Sequence, residues 1–200
     1  MRAIVLSQTI SGDSFHKLQL LSDQDGLFVA MRRHSQKQNS THRPVIFDTA
    51  EIEVQTKPGS QVSFIQSYEL IQRRDAIGKN YRSLEAAAQF ARLLLHNSIA
   101  FHNTDAIYDL VDTSLNAFTA HKSPDHVYFK ALYLLLKQEG YPVRESWYTG
   151  LNATSQDTVA DILKQAAPRE CSQDLRCQQI TEELSKWMEL HTDFKRPPAQ

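Results

Sequence analysis

Apolar positions along this chain change period near residue 75. Ahead of that point they alternate in short runs, the spacing of strands. Beyond it they recur every three to four residues in long runs, the spacing of helices. Residues 2–10, His16–Leu21, Leu27–Arg33, Ala50–Gln55 and Gln61–Ile71 read as five strands. The alternation is strictest in Ala50–Gln55, where Ala50, Ile52 and Val54 oppose Glu51, Glu53 and Gln55. The first strand is apolar on both faces, with Ala3 and Val5 on one and Ile4 and Leu6 on the other. Turn residues separate the runs, among them Ser11-Gly12-Asp13 and the segment ending at Gly26. Strands first and helices afterwards predict a small β-barrel leading into a helical domain. A single α/β enzyme domain would alternate them.

The helical half is predicted to open after Gly78. Ser83 is placed to cap a helix with Leu84, Ala87, Ala88, Ala91, Leu94 and Leu95 as its apolar stripe. Thr104 is placed to cap a second, with Ile107, Leu110, Val111, Leu115 and Phe118 in register. Ser123-Pro124 opens a third, and its Val127–Leu136 segment is apolar nearly all round, as expected of a central buried helix. Gly140 ends it, and Pro142 prevents its continuation. A fourth helix is predicted over about Ser155–Gln165. A fifth carries Leu175, Ile180, Leu184, Trp187 and Met188, and the tail Arg196-Pro197-Pro198 is expected to fray.

Composition narrows the class. With 41% hydrophobic and 22% charged residues, the chain can build a core and is too mixed to be disordered. Net charge is -1, divided as +2 over residues 1–79 and -3 over 80–200. Only Cys171 and Cys177 are present. Two cysteines make neither a disulfide framework nor a zinc site alone, which predicts a reducing cytoplasm. The start, MRAIVLSQTISGD, lacks the length and charge of a signal peptide, and the longest apolar run is far short of a membrane span.

No phosphate loop, HExxH, GxSxG or CxxC signature occurs. His96, His102, His121, His126 and His191 share no i, i+4 spacing that would set two metal ligands on one helix face. The feature that stands out is Arg32–Arg43, RRHSQKQNSTHR, which holds four Lys or Arg and no acid. It reads as an exposed, mobile loop. Such a loop either keeps the barrel tip soluble or clamps phosphate, since guanidinium binds phosphate bidentately. In the second reading Arg32, Arg33, Lys37 and Arg43 contact DNA, and Arg73 and Arg74 extend the stripe. Few aromatics interleave with these charges, and Phe15, Phe28 and Phe64 read equally well as core or as stacking platforms. That balance favours backbone contact over base reading.

Several segments, taken in order, resemble one family. They are Arg2–Leu6, the strand and basic stretch GLFVAMRRHSQKQNSTHR from Gly26, YRSLEAAAQFARLLLHNSIAFHNTDAIYDLVDTSLNAF at Tyr81–Phe118, FKALYLLLKQEGYPV at Phe129–Val143, and HTDFKR at His191–Arg196. Their order and spacing are similar to those of the bacterial recombination mediator RecO, also called DNA repair protein O. The resemblance implies an OB-fold barrel over residues 1–75 and an all-helical domain over 76–200. It implies no cofactor and no enzymatic activity. It implies binding of single- and double-stranded DNA, annealing of complementary strands, and help in loading recombinase onto strands coated by single-strand-binding protein. The partners implied are the C-terminal tail of that coating protein, and RecR; a membrane is not among them. The compartment implied is the cytoplasm, at the nucleoid. Lys130 lies where similar sequences carry a basic residue, so the resemblance assigns it to the tail's carboxylate, with Arg144 or Lys137 assisting and Tyr133 and Leu134 lining the slot.

Many relatives carry a four-cysteine zinc module just after Gly-Tyr. Here Glu145–Gly150 holds no cysteine, so no structural zinc is expected, and packing around Trp147 and Tyr148 must take its place. The competing readings are a protein-binding adaptor whose basic loop is merely solvated, and an enzyme with a site assembled from scattered His and acidic residues.

Overall fold

The computed structural model describes residues 1–33, 43–56, 62–99, 101, 104–169 and 174–198. The chain divides into two compact units, Met1–Arg74 and Asp75–Gln200.

The first unit is a closed barrel. Its strands are β1 (Arg2–Ser11), β2 (Phe15–Ser22), β3 (Gly26–Arg33), β4 (Thr49–Thr56) and β5 (Ser63–Gln72). They follow one another around the wall as β1, β2, β3, β5 and β4, and β4 closes on β1. Every pairing is antiparallel except β3 with β5, which is parallel. That order with one parallel seam is an OB-like barrel. Tight turns join β1 to β2 and β2 to β3, and Gly12 and Gly26 there adopt positive φ, where a side chain would be strained.

Period-two alternation fills the interior. Ala3, Val5, Leu18, Leu20, Ala30, Ala50, Ile52 and Tyr68 form the core, with Phe28, Val54, Ile65 and Leu70 packed against it. Each buried Val, Leu or Ile contributes about 1.5–3 kcal/mol relative to exposure. β4 behaves as its pattern predicts: Ile52 is buried, and Glu51 and Glu53 are exposed. β1 is buried on both faces from Ala3 to Leu6, also as predicted.

The approach to β4 is unusual. Phe47 is buried with φ of 74°, a costly value for a residue with a Cβ. Two backbone bonds to β1 hold the segment: Phe47 N–H donates to the Val5 carbonyl at 2.7 Å, and Val5 N–H to the Asp48 carbonyl at 2.9 Å.

The second unit comprises α1 (Asp75–Gly78), α2 (Tyr81–His96), α3 (Thr104–Thr119), α4 (Pro124–Gln138), a π-helical turn at Val143–Trp147, a 3-10 turn at Tyr148–Gly150, α5 (Ala153–Lys164) and α6 (Leu175–His191). α4 is the central helix expected and packs on α2, α3 and α6. It ends at Gly140 with φ of 84°, where Tyr141 N–H reaches the Leu136 carbonyl and Gly140 N–H that of Lys137. This pairing satisfies the last carbonyls of the helix. α3 buries Ile107, Leu110, Val111, Leu115 and Phe118 as predicted.

Four local expectations are corrected. Asn80, not Ser83, caps α2: its side chain accepts from Ser83 N–H at 3.1 Å. The helix then turns Ser83, Ala87, Phe90 and Leu94 inward and leaves Leu84 exposed, because the Phe90 ring anchors that face. Asn152 caps α5 in the same way and starts it two residues early, at Ala153. In α6 Leu175 is 63% exposed and Cys177 occupies the core instead. The start of the tail is held rather than frayed, because Arg196 pairs with Glu182 and Glu189. Phe194 is fully buried against Phe101 and Tyr141, and Lys195 exchanges backbone bonds with the Asn97 side chain.

Candidate nucleic-acid interface

Arg32 is the seventh residue of β3, and the alternation decides which way it faces. Phe28 and Ala30 point into the barrel, and Arg32 shares their face. It is 7% exposed, with its guanidinium carbon 4.5 Å from the centre of the Tyr68 ring. Cation–π attraction compensates part of the burial. Burial nonetheless lowers its pKa, partly offset by Tyr68. Arg32 is therefore not a loop residue. Its stem belongs to the barrel interior, which corrects the exposed placement expected for it.

Arg73 and Arg74 follow β5 and are engaged within the barrel. Arg73 donates through Nε to Asp48 Oδ1 at 3.2 Å and through Nη2 to Asp48 Oδ2 at 3.0 Å, and also to the Arg43 carbonyl at 2.8 Å. Asp48 is fully buried and takes a further bond from the Tyr68 hydroxyl. Burial, with Asp48 beside it, raises the pKa of Tyr68, so the phenol remains a donor. Arg74 is 3% exposed and donates from Nη1 to the Phe47 carbonyl at 2.7 Å and to Thr49 Oγ1 at 2.8 Å. It secures the strained Phe47 turn. The expected stripe is thus divided. Arg73 and Arg74 brace the barrel, whereas Arg33 and Arg43 are exposed on either side of residues 34–42. Lys37 lies outside the described residues.

The barrel wall itself is polarised. Strand pairing sets Phe15 opposite Arg33 and Lys17 opposite Met31 across β2–β3, and Met31 beside Phe64 across β3–β5. The rings of Phe15 and Phe64 meet edge to face at 5.9 Å. Lys17 and Arg33 are exposed, and the three apolar side chains are half-buried. Around the wall, β4 and β5 expose Glu51, Glu53 and Glu69 instead, with Glu51 directly opposite Glu69. Sequence reasoning left Phe15 and Phe64 undecided and passed over Lys17. The signal was present in the alternation, which puts Phe15 and Lys17 on the face opposite Leu18 and Leu20.

In the helical unit, Lys130, Leu134 and Lys137 follow one another at i, i+4 and i+7 along α4, a single helical face. Leu134 and Lys137 are exposed. Lys130 Nζ donates to the Gln165 carbonyl at the end of α5, and burial lowers its pKa. Tyr133 is buried against Phe129 and Trp147 at ring separations of 6.2 and 6.3 Å. Desolvation raises its pKa, opposed by the nearby Arg144. Four of the five residues assigned to tail binding therefore lie along α4, and the fifth, Arg144 in the π-helical turn, is near Tyr133. Tyr133 contributes there as packing for Trp147 more than as an open wall. Trp147 itself is buried, and Trp187 Nε1 donates to Ser146 Oγ at 3.2 Å, so aromatic packing organises this turn.

A separate groove of about 730 Å³ runs between α2, α4 and α6. Its charges are largely matched: Arg82 pairs with Asp125 at 2.6 Å and Arg196 with Glu182 at 2.8 Å. None of the tail-binding residues lines it. Among the described residues, no three His, Cys, Asp or Glu side chains converge as metal ligands, and no helix is long and apolar enough to cross a membrane. Cys171 lies outside the described residues. No model of a known protein family matches this chain, and no curated protein matches it.

Proposed function

We propose that this protein is a RecO-like DNA repair and recombination mediator. It binds DNA, brings complementary single strands together, and assists recombinase onto strands coated by single-strand-binding protein. It acts without catalysis or cofactor, in the cytoplasm at the nucleoid. The observation that carries the reading is the OB-like barrel whose exposed Arg33 and Arg43 bracket the basic stretch 34–42. Barrels of this topology hold single strands in basic grooves. Phosphate contact falls to Arg33, Lys37 and Arg43, while Arg32, Arg73 and Arg74 keep the barrel end rigid behind them. The corner of α4 with Lys130, Lys137 and Arg144 serves the acidic tail of the coating protein, and RecR is a further partner. The engagement of Arg73 and Arg74 within the barrel favours a second reading, a protein-binding adaptor, because it leaves fewer cations for phosphate.

Binding of labelled single-stranded DNA over a salt series tests the choice. Three phosphate contacts on a single strand give a log–log slope of about -2, accompanied by annealing of complementary strands. Partner capture with no DNA binding at any salt concentration establishes the adaptor.

A further inference from the structure

We propose that His126 is a pH-sensitive latch between the start of α4 and the start of α6, closed when the imidazole is charged and eased when it is neutral. The latch lies wholly within the helical unit and does not depend on DNA binding.

One imidazole stands between two helix beginnings. His126 Nδ1 lies 2.9 Å from the Oγ of Ser123, the residue that precedes α4. Its Nε2 lies 3.5 Å from Asp174 Oδ2. Asp174 is the N-cap of α6, and its other oxygen accepts from Cys177 N–H at 2.9 Å. A second carboxylate is joined to the first. Asp125 Oδ2 accepts from Asp174 N–H at 2.9 Å and from Arg82 of α2 at 2.6 Å, and Asp125 Oδ1 accepts from the Gln178 side chain at 3.1 Å. Ser123 N–H donates to the Pro168 carbonyl at 2.7 Å, which fixes the chain ahead of α4. The beginnings of α2, α4 and α6 thus meet in one network.

The charge balance shows what the imidazole decides. The network holds two carboxylates, Asp125 and Asp174, and one guanidinium, Arg82. The Cys177 thiol beside both carboxylates keeps its proton and adds no charge. Among the described residues, neither His126 nor Asp174 pairs with a charged group of α3 or α5. An imidazolium therefore makes the network neutral and donates to both Ser123 and Asp174. A neutral ring still fills its hydrogen bonds, with Ser123 donating to Nδ1. Asp174 then loses the positive charge that faces it, while Asp125 remains close by. The His126 side chain is only 16% exposed, so that attraction is incompletely screened. The α4 macrodipole opposes a cation in the first turn, but Asp125 in the same turn offsets it. Histidine is the side chain that changes charge near neutral pH. While Asp174 stays ionised, the latch is tightest on the acid side of neutrality and loosens as pH rises. Asp125 and Gln178 also line the groove between α2, α4 and α6, so release loosens α6 at the rim of that groove.

Hydrogen exchange of the full chain at about pH 5.5 and about pH 8 brackets the titration of histidine. Rates are corrected for the intrinsic pH dependence of exchange. Protection of the Asp174 and Cys177 amides should be about threefold higher at the lower pH, the size of one partly exposed ion pair. The Ser155 amide, capped by Asn152 in α5, serves as the internal control and should not respond. His126→Gln removes the titrating group and should make protection equal at the two pH values. Asp174→Asn keeps the N-cap and removes its charge, and should give the same flat response. If one variant fails to fold, the other supplies the comparison. Equal protection at both pH values in the parent overturns the latch. So does a response shared by Ser155, or one that persists in either folded variant.

Discussion

Arg73 grips Asp48 through both carboxylate oxygens, with Nε at 3.2 Å from Oδ1 and Nη2 at 3.0 Å from Oδ2. Asp48 is completely buried and also receives the Tyr68 hydroxyl and the Val45 N–H. Its removal leaves several donors without an acceptor. Asp48→Ala should lower barrel stability by about 2–3 kcal/mol, below the cost of breaking a fully buried pair because Arg73 keeps a solvent edge. Arg73→Lys should cost about 1–2 kcal/mol, since an ammonium cannot reproduce the two-pronged contact. Hydrogen exchange of barrel amides under denaturant measures both. Parental protection in Asp48→Ala would show that the network does not hold the barrel.

The same geometry separates braces from ligands. Arg33→Ala with Lys37→Ala and Arg43→Ala should flatten the salt dependence of single-strand binding by about 0.7 per lost phosphate contact, with little change in melting. Arg74→Ala should do the opposite. It frees the Phe47 carbonyl and lowers stability by about 1–3 kcal/mol, leaving the slope of the folded fraction unchanged. An altered slope in Arg74→Ala would return that residue to the phosphate contacts.

Much of this organisation could be read from the residues, and the exceptions share a cause. β4 was legible because period two is strict from Ala50 to Gln55, and α3 because its five apolar residues repeat over three turns. Arg32 was misplaced because its charge argues for solvent, although its register with Phe28 and Ala30 argues for the interior. A neighbouring ring settles the conflict, and Tyr68 lies far along the chain. Arg73 and Arg74 looked available for the same reason: Asp48 and the Phe47 carbonyl meet them only after the barrel closes. The tail reads as frayed because its anchors, Asn97 for Lys195 and Phe101 for Phe194, lie far back along the chain. Local pattern fixes elements, while long-range partners decide which charges remain for function.

The α4 corner is tested by charge reversal. Lys130→Glu should weaken binding of the acidic C-terminal peptide of single-strand-binding protein by about 1–3 kcal/mol, the worth of a charge-assisted contact. Because Lys130 also donates to Gln165, Lys130→Met serves as a control that keeps the apolar stem and removes only the ammonium. Calorimetric titration that finds parental affinity in both folded variants would detach Lys130 from the tail.

Cys177 should be inert. Its thiol is pushed up to about 12, first by burial and then by the negative charges of Asp174 and Asp125. Native protein treated with iodoacetamide near neutral pH should remain unlabelled at this position, and label should appear only after denaturation. The sign for stability follows. The folded state holds its proton more tightly than the unfolded state, whose thiol titrates near 9.0. This contribution is therefore complete below pH 9 and declines as pH rises toward about 12. Rapid native labelling would mean that the α6 packing opens.

Zinc should be absent from protein purified without chelators. Elemental analysis that finds one tightly bound ion per chain would overturn the substitution of Trp147 packing for a metal module.

The parallel seam between β3 and β5 has a kinetic meaning. It joins Ala30 to Ser63 and Met31 to Phe64, residues far apart in the chain, whereas β1, β2 and β3 are joined in succession by tight turns. Contacts between near neighbours form quickly, and closure of a long loop is slower because its entropy must be lost first. Refolding of the barrel should therefore begin with the three-stranded meander and end with docking of β5. In native-state hydrogen exchange, amides at the start of β5 should open before those of β2. Phe64 lies on that last edge to arrive, so the wall it shares with Met31 is assembled only in a barrel that has finished folding.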